Sequence, residues 1–526
     1  METIKLWARN GDAVRQAIEL GELVHLDTAS EELTDEFLLF AIDSGLLTSW
    51  AESFPDPRQE PEIGMEVILA SHLAARFAGL YSMRKSGYVL RSAAVLGALG
   101  YSVEVLEPEQ GLSLRGTSDD KLISGDVLRK LLVKLENHVD PNALLRVPPH
   151  EPSVSVKVRK RASRRAVKGV VDAVEAEARA QQVAAKLLDW YNTNVGPSLL
   201  EYARVGTGRR IHIVDTTHVE VPLETGTYEC SGVVKNDDGT RSRGDKLATL
   251  RTLLDHAGLI TQVGLCPIQV HDLPVCRLFF ETAPVLRKGD LLLEDRGFVD
   301  GETITFLKQQ RHVDVIVPLK SKRLSYHEAV QLAELQDAWQ PHPSRDNQHI
   351  ACVQGVEHLW EACQVSLHAC VIRFWNHHKN AVDHIVLVTT DTRLNGAWIV
   401  RHYEERPEIE QDYEQMKSGG WHLQKLSSTR YSEIALYILT VVLSYSLYQL
   451  FANTQAGACF ADKTRQALAF AQLRSRRTHV IAYAGGHFEI FETLSFVHFV
   501  LQLPASVQER LWHWLDEHLH TVQKRE

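Results

Sequence analysis

The first 146 residues alternate apolar and polar positions with the period of an α-helix. Residues 36–42 and 67–77 show this most clearly, because apolar side chains that recur every three or four residues place one face of a helix on a core. Three prolines between residues 148 and 152 then interrupt the pattern. We therefore expect a helical N-terminal module over residues 1–146, followed by a linker.

From Arg210 onward the apolar pattern takes the period of β-strands. Three strand-like runs follow one another at residues 211–215, 227–234 and 259–265, and this succession predicts an antiparallel meander. Helical and strand-like runs then alternate, at 274–286 (helix), 290–295 (strand), 301–310 (helix) and 313–319 (strand). This order predicts an α/β core.

Residues 320–395 show a mixed pattern, with strand-like runs at 365–374 and 385–389, and we interpret them as a β-rich insertion. Helical patterning resumes near Ala397 and continues to the end. The predicted organisation is a helical module (1–146), a basic linker and helix (147–204), an α/β core that contains the insertion (205–430) and a helical C-terminal region (431–526).

Residues 434–452 form an uncharged segment of 19 residues, close to the roughly 20 that span a bilayer. The segment also contains Tyr437, Thr440 and Gln449, and a helix that is apolar all round is typical of a large protein's interior. We interpret it as a buried helix, with a membrane span as the alternative.

Composition sets limits on the class of protein. The chain has 526 residues, and single cores stop growing at about 250–300 residues, so we expect at least two domains. The seven cysteines include no CxxC pair, which favours a reducing cytoplasm. Cys363, Cys370, His377 and His378 could suggest a zinc site, but their spacing matches no familiar one, and apolar neighbours favour core cysteines. The net charge of -10 does not suggest general coating of nucleic acid.

A basic strip breaks this acidic background directly after the linker. Seven cations lie within twelve residues that hold no carboxylate: Lys157, Arg159, Lys160, Arg161, Arg164, Arg165 and Lys168. Clustered cations release counterions from DNA, so this strip predicts phosphate binding. A solvated basic helix is the alternative.

Two aspartates follow apolar strands. Asp215 comes after the run 211–214, and Asp295 ends the run 290–295. Strand-end aspartates often initiate turns. Two of them on neighbouring strands, however, predict a site for a hard divalent cation, which proteins hold with a few carboxylates plus water and substrate phosphate.

A third group of chemically informative residues lies in residues 403–417. Glu410 and Lys417 are seven residues apart, two helical turns, so they share one helix face, while Tyr403 and Arg406 enter from the same end. Five Glu and one Asp in this stretch leave a salt-bridged surface helix as the alternative.

This segment resembles the signature of the insertion-sequence-four type of DDE transposases, which is Tyr, two residues, Arg, three residues, Glu, six residues, Lys. Tyr403, Arg406, Glu410 and Lys417 fit every interval. The resemblance covers about residues 205–455. It implies a ribonuclease-H-like mixed sheet with helices, and a β-rich insertion before the helix of the catalytic Glu.

The resemblance also implies a chemistry. Asp215, Asp295 and Glu410 would bind two Mg²⁺ (or Mn²⁺) ions and catalyse DNA cleavage at transposon ends, followed by strand transfer into target DNA. Tyr403, Arg406 and Lys417 would hold phosphates. Family members often stack a flipped base on an aromatic side chain of the insertion, and the sequence does not choose between Trp360 and Trp375.

The partners implied by the resemblance are terminal inverted repeats and target DNA, bound by a homodimer on paired ends. The location expected is the bacterial cytoplasm, at the nucleoid and away from membranes. Two alternatives stay open: a metal nuclease of the same fold that does not join strands, and a domesticated DNA-binding protein without chemistry.

Overall fold

The structure is a computed structural model. It describes residues 4–5, 8–29, 32–59, 61, 63–83, 95, 98–99, 103–104, 127–143, 145, 164–203, 208–223, 228–236, 238–254, 258–454 and 479–513. Lys157, Arg159, Lys160 and Arg161 of the predicted basic strip lie outside the described residues. Arg164, Arg165 and Lys168 begin a helix, and their side chains are outside the description.

The described strands are β1 (Ile4–Lys5), β2 (Ala8–Arg9), β3 (Leu23–Ala29), β4 (Val103–Glu104), β5 (Ile211–Val221), β6 (Gly232–Lys235), β7 (Arg241–Leu253), β8 (Gly258–Pro267), β9 (Leu291–Leu293), β10 (Asp314–Pro318), β11 (Gln340–Pro341), β12 (His349–Gln354), β13 (His368–Asn376), β14 (Ala381–Thr389), β15 (His479–Ala484) and β16 (His487–Glu492).

The described α-helices are α1 (Gly11–Glu19), α2 (Glu32–Asp43), α3 (Leu46–Ser53), α4 (Met65–Phe77), α5 (Val127–Asn137), α6 (Arg164–Trp190), α7 (Gly196–Tyr202), α8 (Asp272–Thr282), α9 (Gly301–Phe306), α10 (Leu324–Gln336), α11 (Gly396–Tyr403), α12 (Glu408–Ser418), α13 (Tyr431–Phe451) and α14 (Thr493–Leu501). Two π-helical segments, Tyr191–Val195 and Leu307–Arg311, continue α6 and α9.

The chain divides into two compact units, and the larger comprises Val139–Glu414 and Ser428–Leu439. Its sheet has the order β11-β12-β13-β14-β10-β9-β5-β7-β6, with β8 also paired to β7. Strands β5, β7 and β8 are antiparallel neighbours, so an antiparallel meander is present, but its middle strand is β7 and not the predicted run 227–234. Strand β9 runs parallel to both β5 and β10, so the sheet is mixed. The insertion continues this sheet, because β14 pairs with β10.

Strand β7 is the element that the sequence pattern failed to predict. It lies between β5 and β8 and is buried over most of its length. Its charged residues hide the apolar period, yet they are buried with partners: Lys246 Nζ lies 2.7 Å from Asp272 Oδ1, and Arg251 Nε lies 2.6 Å from Asp412 Oδ2. The strand predicted at 227–234 is wrong over most of its length, because β6 covers only Gly232–Lys235.

The outer edge of β8 is closed by the helical segment that follows α6. The Asn192 side-chain amide donates to the Val263 carbonyl at 2.9 Å and accepts from the Val263 N–H at 2.7 Å, as a neighbouring strand would. A Cβ at Gly196 would come within 1.9 Å of the Thr261 carbonyl oxygen, so this close approach requires glycine. The edge is thereby protected from pairing with another chain.

The smaller unit comprises Met1–His138, Gln415–Ser427 and Thr440–Glu526. A four-stranded sheet of order β2-β16-β15-β3 joins residues near both ends of the chain, and α1 contributes Val14 and Ile18 to its core. The predicted helical module at 1–146 and the mainly helical region at 431–526 therefore also contain strands that were not predicted from the sequence. Gly485 and Gly486, both with positive φ, make the tight turn between β15 and β16.

Helix α13 contains the uncharged segment discussed above. Among the described helices it has the length and composition to cross a membrane, and 94% of its most apolar 18-residue window is buried inside the protein. Such burial supports the interpretation of a core helix.

Candidate catalytic site

Two neighbouring parallel strands place Asp215 beside Asp295. Ile213 of β5 pairs with Leu293 of β9, and the same register continued by two residues sets the two aspartates opposite each other. The backbone of Asp295 is still extended, with φ -82° and ψ 166°. Because side chains alternate across a strand, both carboxylates share one face of the sheet.

Asp215 does not end its strand, contrary to the expectation from the sequence. β5 continues for six residues to Val221, whereas β9 does end at Leu293. Residues 212–214 are fully buried, and the next four are half-buried. Asp215 thus marks the point where the strand emerges from the core.

Helix α12 carries Glu410 and is fastened to the sheet by buried polar groups. Arg251 of β7 donates to Asp412 Oδ2 at 2.6 Å and to Glu408 Oε2 at 2.8 Å. The Tyr413 hydroxyl donates to the Asp215 carbonyl at 2.8 Å and lies 2.6 Å from the Thr249 hydroxyl. One helix face therefore holds the sheet while Glu410 stays half exposed.

Sequence reasoning missed these fastening residues. The signal was present, because Glu408 and Asp412 are four residues apart and so share one face of α12. Arg251 also stands in a run of otherwise uncharged residues at 247–254. An isolated cation in such a run indicates a buried partner of opposite charge.

The guanidinium of Arg406 lies among all three candidate carboxylates. It is 3.0 Å from Asp215 Oδ2, 3.6 Å from Asp295 Oδ2 and 2.6 Å from Glu410 Oε1. The side chain of Arg406 is 13% exposed, and those of the three acids are 14%, 41% and 56% exposed, respectively. Three carboxylates around one cation leave an excess of negative charge.

The electrostatics of the site reflect this excess. Burial raises the pKa of Asp215 to about 6, and the neighbouring Asp295 and Glu410 act in the same direction, against Arg406. Burial also raises the pKa of Tyr403, whose phenol is subject to the charges of Arg406, Asp295 and Asp215. Tyr403 therefore lies at the same site.

The family comparison agrees with this geometry. Residues 206–447 match the family model described as "Transposase DDE domain". The match supports a DDE transposase domain in this segment. It includes the three carboxylates, Tyr403, Arg406 and Lys417, and it supports assignment of the protein as a DDE transposase, an enzyme that acts on DNA. No curated protein matches the chain.

DDE transposases generally use divalent metal ions, and the donor set of this domain fits such ions. Asp215, Asp295 and Glu410 offer hard anionic oxygens, the ligands that Mg²⁺ prefers. Within the described residues, no three His, Cys, Asp or Glu side chains are grouped as metal ligands. The Arg406 guanidinium occupies the space between the acids, so metal binding requires it to move.

The structure also locates Lys417 and the two tryptophans that the sequence suggested for base stacking. Lys417 lies two turns after Glu410 on α12 and is half-buried. Trp360 is 6% exposed and packs under Arg323, whose guanidinium carbon is 4.5 Å from the ring centre. Trp375 is 49% exposed on β13, so only the latter ring has a free face.

A fourth carboxylate, Asp272, adjoins the site. It accepts from the Thr216 hydroxyl at 2.8 Å and from Lys246 Nζ at 2.7 Å. Burial opposes its ionisation, but the hydrogen bonds from Lys246 and Thr216 hold the pKa of Asp272 below its usual range. The neighbouring His271 caps α8, which begins at Asp272.

Proposed function

We propose that the protein cleaves DNA at transposon ends and transfers the cut strands into target DNA, with Asp215, Asp295 and Glu410 as the catalytic carboxylates. The observation that carries this proposal is the convergence of three acids from distant parts of the chain on the Arg406 guanidinium. A salt-bridged surface helix would not be expected to bring its acids to aspartates on two adjacent strands of the sheet.

The three carboxylates would hold two Mg²⁺ (or Mn²⁺) ions. Ions held there would stabilise the entering and leaving oxygens of a phosphodiester during in-line attack. The chain's own contribution is to fix the acids: the β5–β9 register sets the aspartates side by side, and Arg251 and Tyr413 hold the helix of Glu410.

Arg406 has two roles in this proposal. In the protein without metal or DNA it neutralises part of the charge of the three acids. When it leaves them, the acids become free to bind cations, and its guanidinium becomes free to bind a phosphate in a forked geometry. Tyr403 and Lys417 would supply further phosphate contacts next to the cut, as the resemblance implies.

The order of strands supports a ribonuclease-H-like core. Strands β8, β7 and β5 form the antiparallel part, and β9 and β10 follow as parallel neighbours of β5. Asp215 and Asp295 then belong to the two adjacent central strands, and Glu410 comes from a helix packed on the same face.

We further propose that the helical N-terminal module and the basic strip bind duplex DNA, that the protein acts as a homodimer, and that Trp375 is the base-stacking aromatic.

The test separates binding from chemistry. Asp215→Asn, Asp295→Asn and Glu410→Gln keep shape but remove anionic oxygens, so each variant should still bind labelled DNA of the flanking inverted repeats in a gel shift. None should cut or join that DNA with Mg²⁺. Asp300→Asn is the matched control, because Asp300 caps α9 through the Thr303 N–H and asparagine caps helices equally well.

Cleavage, joining and binding are scored on the same samples. Parental cleavage in any of the three variants would remove that residue from the site. Loss of DNA binding together with cleavage would indicate a folding role instead. Wild-type protein that cuts but never joins would restrict the function to that of a nuclease.

A further inference from the structure

Two cysteines face each other across two strands of the insertion. Cys352 of β12 pairs directly with Cys370 of β13. The Gly355 N–H donates to the Leu367 carbonyl, and because hydrogen-bonded pairs alternate along an antiparallel ladder, Cys352 and Cys370 form a non-hydrogen-bonded pair. Such pairs have Cα atoms about 4.5 Å apart and the closer side chains, a separation within the range that disulfides span.

The two sulfur atoms also meet at the start of a helix. A Cβ built on Gly396, the first residue of α11, would lie 2.8 Å from Cys352 Sγ and 3.3 Å from Cys370 Sγ. Both sulfurs therefore lie around one point, and only glycine leaves room for them. The Gly396 backbone N–H hydrogen-bonds Cys352, while Cys370 Sγ lies 3.8 Å from the Gly396 carbonyl oxygen.

The surroundings of the two thiols are unequal. Cys352 is partly exposed, whereas Cys370 is fully buried. Cys352 also has His368 beside it, on the same face of β13 as Cys370, and His368 in turn lies near the Thr392 backbone and Asp391. The hydrogen bond from Cys370, with help from His368, lowers the pKa of Cys352, and the same hydrogen bond together with burial raises the pKa of Cys370.

Reactive cysteines occur where a thiolate is stabilised by a helix N-terminus or a histidine and remains accessible. Redox-active cysteines in addition have a second thiol within reach. We propose that Cys352 and Cys370 are a redox-active dithiol in which Cys352 attacks a hydroperoxide and Cys370 closes a cross-strand disulfide. This modification site is independent of the catalytic carboxylates and of the proposed function.

The chemistry balances with hydrogen peroxide as oxidant. The Cys352 thiolate attacks one peroxide oxygen, the O–O bond breaks, and hydroxide leaves, so that Cys352 becomes a sulfenic acid. The Cys370 thiol then attacks the Cys352 sulfur, the S–O bond breaks, and water leaves with the thiol proton. Two thiols are oxidised to one disulfide, and one hydrogen peroxide is reduced to two water molecules once the hydroxide of the first step has taken up a proton.

The first test uses the full wild-type chain and needs no variant. Reduced protein is treated with one equivalent of hydrogen peroxide, free thiols are alkylated, and proteolytic peptides are mapped by mass spectrometry. The expected product is a peptide pair linked through Cys352 and Cys370 that dithiothreitol separates. In the reduced protein at pH 7, iodoacetamide should alkylate Cys352 at least about tenfold faster than Cys363.

Variants assign the order of the two steps. Cys370→Ser should stop the disulfide and leave a sulfenic acid on Cys352 that dimedone traps, whereas Cys352→Ser should give neither product. Cys363→Ser, which alters a buried thiol outside the pair, should form the disulfide like the parent. Absence of the Cys352–Cys370 link in the wild-type chain would overturn the proposal, as would Cys352 reacting no faster than Cys363.

Discussion

Two clusters at opposite ends of β5 and β9 use the same residue types for different purposes. At one end, Asp290 accepts from Arg210 Nη2 at 3.0 Å and from the Arg287 N–H at 2.8 Å, and it lies 3.1 Å from His212 Nε2. At the other end, Arg406 lies among Asp215 and two further acids. Residue type alone therefore does not distinguish a structural cluster from a catalytic one.

Charge balance and exposure do distinguish them. Asp290 and Arg210 are each 4% exposed and form one pair of opposite charges. The candidate catalytic cluster has three acids for one arginine, and two of those acids are more than 40% exposed. Losing one partner of a balanced, buried cluster leaves an unpaired buried charge, whereas an excess of accessible carboxylates has the chemistry to attract a cation.

The ionisation of the two aspartates follows the same division. Burial opposes ionisation of Asp290, yet the hydrogen bond with His212 and the nearby charges hold its pKa below the usual range. At Asp215 burial dominates and raises the pKa to about 6. The fold thus stabilises the charged form of Asp290, whereas ionisation of Asp215 lowers the stability of the fold.

The largest stability effect is expected at the structural end. Asp290→Asn leaves the buried Arg210 without its counter-charge, and breaking one partner of a buried pair costs roughly 3–5 kcal/mol. Urea unfolding at pH 7 should show this loss in the free energy of unfolding. A loss below about 1 kcal/mol would remove the contrast between the clusters.

At the Arg406 cluster a substitution is expected to raise the free energy of unfolding rather than lower it. The pKa of Asp215 is about 6 in the folded chain against an ordinary 3.8, so ionisation of this group lowers stability as pH rises from about 4 to 6, and the full penalty is present above pH 6. Asp215→Asn should remove it and stabilise the metal-free chain at pH 8 by about 2–3 kcal/mol.

The same urea unfolding experiment at pH 4 is the internal control. There the Asp215 carboxyl is mostly protonated in the folded chain, and the variant should lose most of its advantage. Equal or lower stability of Asp215→Asn at pH 8 would mean that Arg406 already compensates for burial, contrary to the expected balance.

A smaller effect tests the attachment of α12. Tyr413→Phe removes the hydroxyl that bonds the Asp215 carbonyl and Thr249, at a cost of about 1 kcal/mol, and should slow DNA cleavage because it loosens the helix of Glu410. Tyr326→Phe removes one similar bond, to the His384 carbonyl in the insertion. Equal cleavage rates in the two variants would argue against a positioning role for Tyr413.

Part of this arrangement was predictable from the sequence. Strands β5, β8, β9 and β10 and the α/β alternation follow from periodicity, because these strands are apolar runs bounded by turns. The spacing of residues from Tyr403 to Lys417 pointed to the helix of Glu410 through a family resemblance. The match to a transposase DDE domain supports the DDE family but not that specific spacing. The assignment of individual catalytic residues stays a prediction.

The remaining features depend on long-range pairing that local patterns do not contain. Arg251 and Lys246 make β7 look like a surface segment, and their partners lie 161 and 26 residues away. The β15–β16 hairpin had a local sequence signal, because Gly485-Gly486 lies between two alternating runs. The pairing of this hairpin with β3 has no such local signal. Nor could spacing alone place Arg406 among the acids.

The most direct measurement compares two glutamates on one helix. Glu410 lies at the Arg406 cluster, whereas Glu408, two residues earlier, pairs with Arg251. Mn²⁺ binding, followed by electron paramagnetic resonance of the free ion, and DNA cleavage are measured for Glu410→Gln and Glu408→Gln side by side. We expect Glu410→Gln to lose both, and Glu408→Gln to keep both within a few-fold, because Asp412 still holds Arg251. Parental Mn²⁺ binding and cleavage in Glu410→Gln, or equal loss in the two variants, would contradict a catalytic centre at Asp215, Asp295 and Glu410.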